Sequence, residues 1–146
     1  MEEVQPLTLD EVRIVVTLMA KRLYEEYDAP IPDFDSRPPG KLESCLAQPF
    51  HSFDGVEAYP GLINKAAVLF FVLVKGHPLE NGNKRMAVAS LLLFLSKNGY
   101  TLRAEVGDFL TLAVLVAEST NMPVSMTHIT RFIELRIIEG DQQTAA

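Results

Sequence analysis

The sequence predicts an all-α single domain, on three observations. Apolar residues recur at helical spacing through most of the chain. Proline and glycine clusters fall between those stretches rather than within them, and two long apolar segments flank one short polar loop. At 146 residues the chain suits one domain, large enough to bury about two-thirds of its unfolded surface.

Thr8-Leu9-Asp10-Glu11 has the form of a capping box, in which the hydroxyl accepts from a free N–H and the carboxylate reaches back. Val12, Val15, Val16, Met19, Ala20 and Leu23 follow at helical spacing, so the first helix is expected over residues 9 to 27. Pro30, Pro32, Pro38 and Pro39 forbid its continuation and make 29 to 40 a loop. Residues 41 to 48 form a short helix burying Leu42 and Leu46, ended by Pro49. Between Phe50 and Val56, two phenylalanines surround polar residues and Asp54-Gly55 signals a turn, which reads as an exposed loop or small hairpin. Its aromatics either fold back onto the core or serve binding.

Tyr59-Pro60-Gly61 opens the next element. Residues 62 to 75 are rich in Val, Phe and Leu, yet the length and the Ala66-Ala67 pair favour a buried helix over a strand. A second buried helix is expected over 84 to 97, stopped by Asn98-Gly99. Residues 100 to 103 read as a short extended piece, 108 to 119 and 125 to 139 as two further helices, and 140 to 146 as a frayed tail.

Bulk properties exclude several classes. A net charge of −6 without a long basic run is a poor match to nucleic-acid binding through phosphate neutralisation. The apolar run from Ala66 to Val74 is far short of the about 20 residues that cross a bilayer. The N-terminus lacks the basic start and apolar core of a secretory signal, and Cys45 has no partner for an intrachain disulfide. A soluble cytoplasmic protein with no direct nucleic-acid or membrane contact is expected.

Chemistry concentrates between the two apolar helices, in His77-Pro78-Leu79-Glu80-Asn81-Gly82-Asn83-Lys84-Arg85. A Gly-containing turn feeding a helix start offers unpaired backbone N–H groups and the positive end of the helix dipole. Lys84 and Arg85 add full charges suited to phosphate oxygens. His77 can move a proton near neutral pH. Alone, His77 would be an ordinary helix-end histidine and Asn81-Gly82-Asn83 an ordinary turn. Their co-occurrence on one connection points to a polyphosphate cradle with a base beside it. A P-loop fails in detail, since Asn83 intervenes between Gly82 and Lys84 and Arg85 takes the Ser/Thr position. His51, His77 and His128 lack zinc-ligand spacing, and Cys45 has no neighbouring partner for nucleophilic chemistry.

The nine residues from His77 to Arg85 resemble the motif of the Fic/Doc superfamily, roughly His-Pro-Phe-x-Asp/Glu-Gly-Asn-Gly/Lys-Arg. The resemblance extends through Leu42-Glu43-Ser44, Phe53-x-Gly55, Tyr59-Pro60, Lys65-Ala66-Ala67 and Asn98-Gly99-Tyr100, covering roughly residues 8 to 138. It implies a Fic/Doc-like helical bundle over residues 1 to 146, in which His77 takes the proton from a target hydroxyl. It also implies that Gly82 and Asn83 form the anion cradle, that Lys84 and Arg85 hold phosphate, and that Phe53, Asp54 and Gly55 belong to a target-docking flap.

Lys84 in place of Gly, and Val88 in place of a second Arg, match the Doc (death-on-curing) branch. That branch implies transfer of the γ-phosphate of ATP, with Mg²⁺, to a Ser or Thr of a target such as the translation factor elongation factor Tu. It also implies restraint by a separate antitoxin. Asn81 stands where the family carries a metal-binding carboxylate, so metal ligation would fall to its amide oxygen or to Glu80. Leu79 replaces the Phe that packs the loop into the core. AMP transfer to a protein hydroxyl, and a catalytically impaired nucleotide-binding module, are the alternatives. The family's self-inhibiting helix pattern is met only in part by Thr130 with Glu134, or by Glu139-Gly140, which read as ordinary helix residues.

Overall fold

The computed structural model describes residues 3–26 (19–26 as backbone alone), 34, 37, 39–79 and 82–140. Its described elements are helices α1 (Leu9–Glu26), α2 (Lys41–Ala47), α3 (Leu62–Lys75), α4 (Asn83–Lys97), α5 (Val106–Glu118) and α6 (Met122–Arg136), a 3₁₀ turn (Gln48–Phe50) after α2, and strands β1 (Ser52–Phe53), β2 (Val56–Glu57), β3 (Tyr100–Leu102) and β4 (Ile137–Glu139). The expected all-α class holds. The strands form two small antiparallel ribbons, β1 with β2 and β3 with β4.

Helix α3 is the axis of the core. Its residues 65 to 70 and 72 to 74 are all buried, because α2, α4, α5 and α6 pack around it. A helix apolar on every side is stable only when enclosed in this way. Helix α4 lies against α3 and buries Met86, Ala87, Val88, Leu91, Phe94 and Leu95, while α1 and α5 cover its outer sides. No described helix is long and apolar enough to cross a membrane.

The capping box at the first helix is present in both directions. The Thr8 N–H donates to Glu11 Oε1 at 2.9 Å, and the Glu11 N–H to Thr8 Oγ1 at 3.2 Å. Most of the proline-rich loop, and the end of the first helix expected at Tyr27, lie outside the described residues. Phe34 within that loop is buried, with the Arg13 and Arg37 guanidinium groups 4.7 and 4.1 Å from its ring centroid.

The C-terminal third departs from expectation. Helix α5 begins at Val106 rather than Asp108, because Glu105 is the cap and Asp108 reaches back to accept from the Glu105 N–H at 3.1 Å. Helix α6 begins at Met122 rather than Ser125, with Asn121 accepting from the Val124 N–H at 3.1 Å and Pro123 in the first turn. It also stops at Arg136 rather than running to Glu139. Ile137, Ile138 and Glu139 leave the helix to pair with Leu102, Thr101 and Tyr100. Two adjacent β-branched residues favour that exit. Bonds from the Arg103 N–H to Arg136 O and from the Gly140 N–H to Gly99 O, each 2.9 Å, close the ribbon at both ends. Gly140 is therefore tied down rather than frayed, and the rest of the expected tail, residues 141 to 146, lies outside the described residues.

Candidate functional site

The connection between α3 and α4 is built tightly from its first residue. The Gly76 N–H donates to Val72 O at 2.8 Å, and a Cβ at position 76 would sit only 2.6 Å from that oxygen and 3.2 Å from Cys45 Sγ. Only glycine allows α2 and the end of α3 to approach so closely. Cys45 itself is a buried thiol donating to Val72 O at 3.5 Å. Burial pushes its pKa up despite the opposing charge of Lys41, which makes it an unreactive packing residue. Lys75 Nζ donates to Ala117 O at 3.1 Å and Ser119 O at 2.6 Å, supplying the cation that the C-terminal end of α5 favours.

His77 follows with φ +45°, a left-handed conformation uncommon outside glycine, and its side chain is exposed. Pro78 and Leu79 then turn inward. Leu79 is buried in the core, as expected of the residue that packs the loop. Gly82 caps α4 at φ 76°, ψ 18°, and its carbonyl accepts from the Met86 N–H at 3.0 Å, the first bond of the helix.

Asn83 organises this loop. It is 7% exposed, and its Oδ1 accepts from the Leu79 N–H at 2.8 Å while its Nδ2 donates to Leu79 O at 2.8 Å. The same Nδ2 lies 3.3 Å from His77 Nδ1. One side-chain amide thus closes a two-point bridge on Leu79 and touches the histidine. Such a set of bonds can hold His77 at a φ that would otherwise relax.

Among the residues expected to act, His77, Gly82, Asn83, Lys84 and Arg85 lie together where α4 begins. Lys84 is exposed, Arg85 is half-buried, and Val88, one turn along α4, faces the core. The Asn83 side chain is directed into the loop, towards Leu79 and His77. The expected metal ligands Asn81 and Glu80 lie outside the described residues, among which no group of three or more His, Cys, Asp or Glu is arranged to hold a metal.

The expected flap is a hairpin of β1 and β2, with Ser52 opposite Glu57 and Phe53 opposite Val56. Asp54 at φ 51° and Gly55 at φ 79° form its turn, the mirror-image geometry of tight hairpins. Its aromatics divide: Phe53 is 71% exposed, whereas Phe50 packs edge-on against Phe94 at 6.4 Å. Sequence reasoning missed what holds the flap. Lys65, 2% exposed on α3, donates to Glu57 Oε1 at 3.0 Å and Tyr59 O at 2.6 Å, with its ammonium 5.7 Å from the centre of the Phe50 ring. Its signal was a single cation at the edge of an otherwise apolar run, since a buried charge needs close partners.

Comparison with known proteins bears on this site. The model of the Fic/DOC family matches residues 6–95, which include the whole loop and most of α4. A protein named Toxin Doc, from Mycolicibacterium smegmatis, is 44% identical over 66 residues, covering 45% of this chain and 51% of that protein. The chain therefore spans about half the length of the curated relative it matches.

Proposed function

This chain belongs to the Fic/DOC family, and from that premise we propose that it is a Doc-like toxin transferring the γ-phosphate of ATP to a Ser or Thr hydroxyl of a target protein. The observation that carries the reading is the exposed His77 imidazole beside the start of α4, where Gly82 turns the chain and Lys84 projects into solvent. Phosphoryl transfer requires positioning and charge neutralisation more than covalent help from the protein. The first amides of α4 with Lys84 and Arg85 suit the phosphates, and His77 suits removal of the hydroxyl proton. The inward-facing Val88 leaves that turn of α4 without a second cation, which favours the Doc branch over AMP transfer.

Mg²⁺ would be held by Asn81 or Glu80 together with phosphate oxygens, and would neutralise charge on the transferred group. The exposed turn of the β1–β2 hairpin would seat the target, for which a translation factor is the leading candidate, through a strand edge that pairs with no other strand among the described residues. A separate antitoxin would restrain the toxin.

Incubation of protein and cell lysate with ATP labelled separately at the α and γ positions tests the reading. Label from the γ position alone should reach a lysate protein. His77→Ala should reduce transfer by about 10²–10⁴, the range of general-base help. Label from the α position would mean AMP transfer instead. Transfer gained only by Asn81→Asp would mean that the natural chain is an impaired binding module.

A further inference from the structure

We infer that Asn83 is a positioning residue that sets the tautomer of His77, holding the histidine of the free protein with Nδ1 bare and the proton on Nε2. The inference rests on the reading of His77 as the base and adds a step to it. An asparagine amide can usually be turned over, which leaves its oxygen and nitrogen uncertain. Here the main chain of Leu79 decides. Its N–H, 2.8 Å away, requires an acceptor, and its carbonyl, also 2.8 Å away, requires a donor. Reversing the amide would oppose donor to donor and acceptor to acceptor at a buried pair and leave both main-chain groups unpaired.

With the amide fixed, Nδ2 and not Oδ1 faces His77 Nδ1 at 3.3 Å. One Nδ2 hydrogen goes to Leu79 O, and the other points towards the ring. A proton on Nδ1 would meet that hydrogen head-on, so Nδ1 accepts and the neutral ring carries its proton on Nε2.

The consequence concerns catalysis. Nδ1 is occupied by Asn83, and Nε2 on the far side of the exposed ring offers a proton rather than a lone pair. In this arrangement His77 is a donor to whatever meets its outer edge. To take a hydroxyl proton there, the ring must first gain a proton from water at Nδ1 and release one to water from Nε2, which requires the Asn83 contact to break. Asn83 thus keeps the histidine in a resting form, and a base-competent ring appears only once the loop has adjusted.

Nitrogen-15 NMR of the histidine side chains tests this without nucleotide or target, at a pH about two units above the ordinary imidazole pKa. In the wild type, the bare-nitrogen signal of His77 should belong to Nδ1. In Asn83→Asp, whose carboxylate accepts from an Nδ1–H, it should move to Nε2. Asn83→Ala should give the mixed signal of a solvated ring. A wild-type bare nitrogen at Nε2 overturns the inference however the variants fold. So does a population in Asn83→Ala that matches the wild type. Because the readout is not activity, the tautomer assignment can fail while γ-phosphate transfer stands, and the reverse.

Discussion

Helix α4 has an asparagine at each end, and the two side chains make the same pair of bonds to different parts of the chain. At the first residue, Asn83 accepts from the Leu79 N–H and donates to Leu79 O, both at 2.8 Å. At the C-terminal cap, Asn98 accepts from the Gln5 N–H at 2.7 Å and donates to Gln5 O at 3.0 Å. Each amide imitates one rung of a β-ladder and binds a non-helical segment to the helix. Surroundings separate them. The Leu79 bridge is buried and has a histidine against its third hydrogen-bonding position, whereas the Gln5 bridge is exposed and has Phe94 O there, at 2.8 Å. Identical bonding folds the candidate-site loop at one end and pins a terminal segment at the other. Water access decides how much each is worth.

Removing each asparagine in turn should separate the two ends of α4 most clearly. Asn83→Ala strands a buried N–H and a buried C=O, so a loss of about 1–3 kcal/mol for each is expected in chemical denaturation. Next in size is the tie beneath the flap. Lys65→Met keeps the aliphatic stem but strands Tyr59 O, and should cost about 1–3 kcal/mol while speeding hydrogen exchange across residues 52 to 57. Asn98→Ala exposes its freed partners to water and should cost only about 1 kcal/mol, with transfer unchanged.

The smallest effect belongs to the pH dependence at the Asn98 end. Lys97 Nζ bonds Glu11 Oε1 and Pro6 O, each at 2.8 Å. Burial alone would raise the Glu11 carboxyl, but the bonds from Lys97 and Thr8 and the Lys97 charge outweigh it and hold the pKa below the ordinary 4.5. A carboxyl lowered by folding stabilises the fold above its unfolded pKa, and that contribution is lost as pH falls through the folded value. Acid should therefore loosen the N-terminal segment, and Lys97→Met should remove most of that dependence in melts recorded between about pH 6 and 3.

Local chemistry made much of this legible in the sequence. The Thr8–Glu11 box, the apolar α3, the Asn98-Gly99 stop and the Asp54-Gly55 turn each act within a few residues of their own position, and each appears where it was expected. The exit of Ile137–Glu139 from α6 was not legible, because it depends on a partner strand more than thirty residues earlier. The cluster at the start of α4 was visible as a list of residue types. The role of Asn83 was not, since a residue assigned to phosphate also had to satisfy a buried main chain four residues before it. Lys65 was hidden in the same way: its partners Glu57 and Tyr59 become neighbours only once the flap folds over α3.

Hydrogen exchange at the Leu79 amide tests most directly whether Asn83 builds the site loop. That N–H should be strongly protected in the wild type, exchange at least tenfold faster in Asn83→Ala, and stay protected in Asn98→Ala. Exchange of the Leu79 amide in the wild type as fast as in an open loop, or unchanged by Asn83→Ala, would contradict the account.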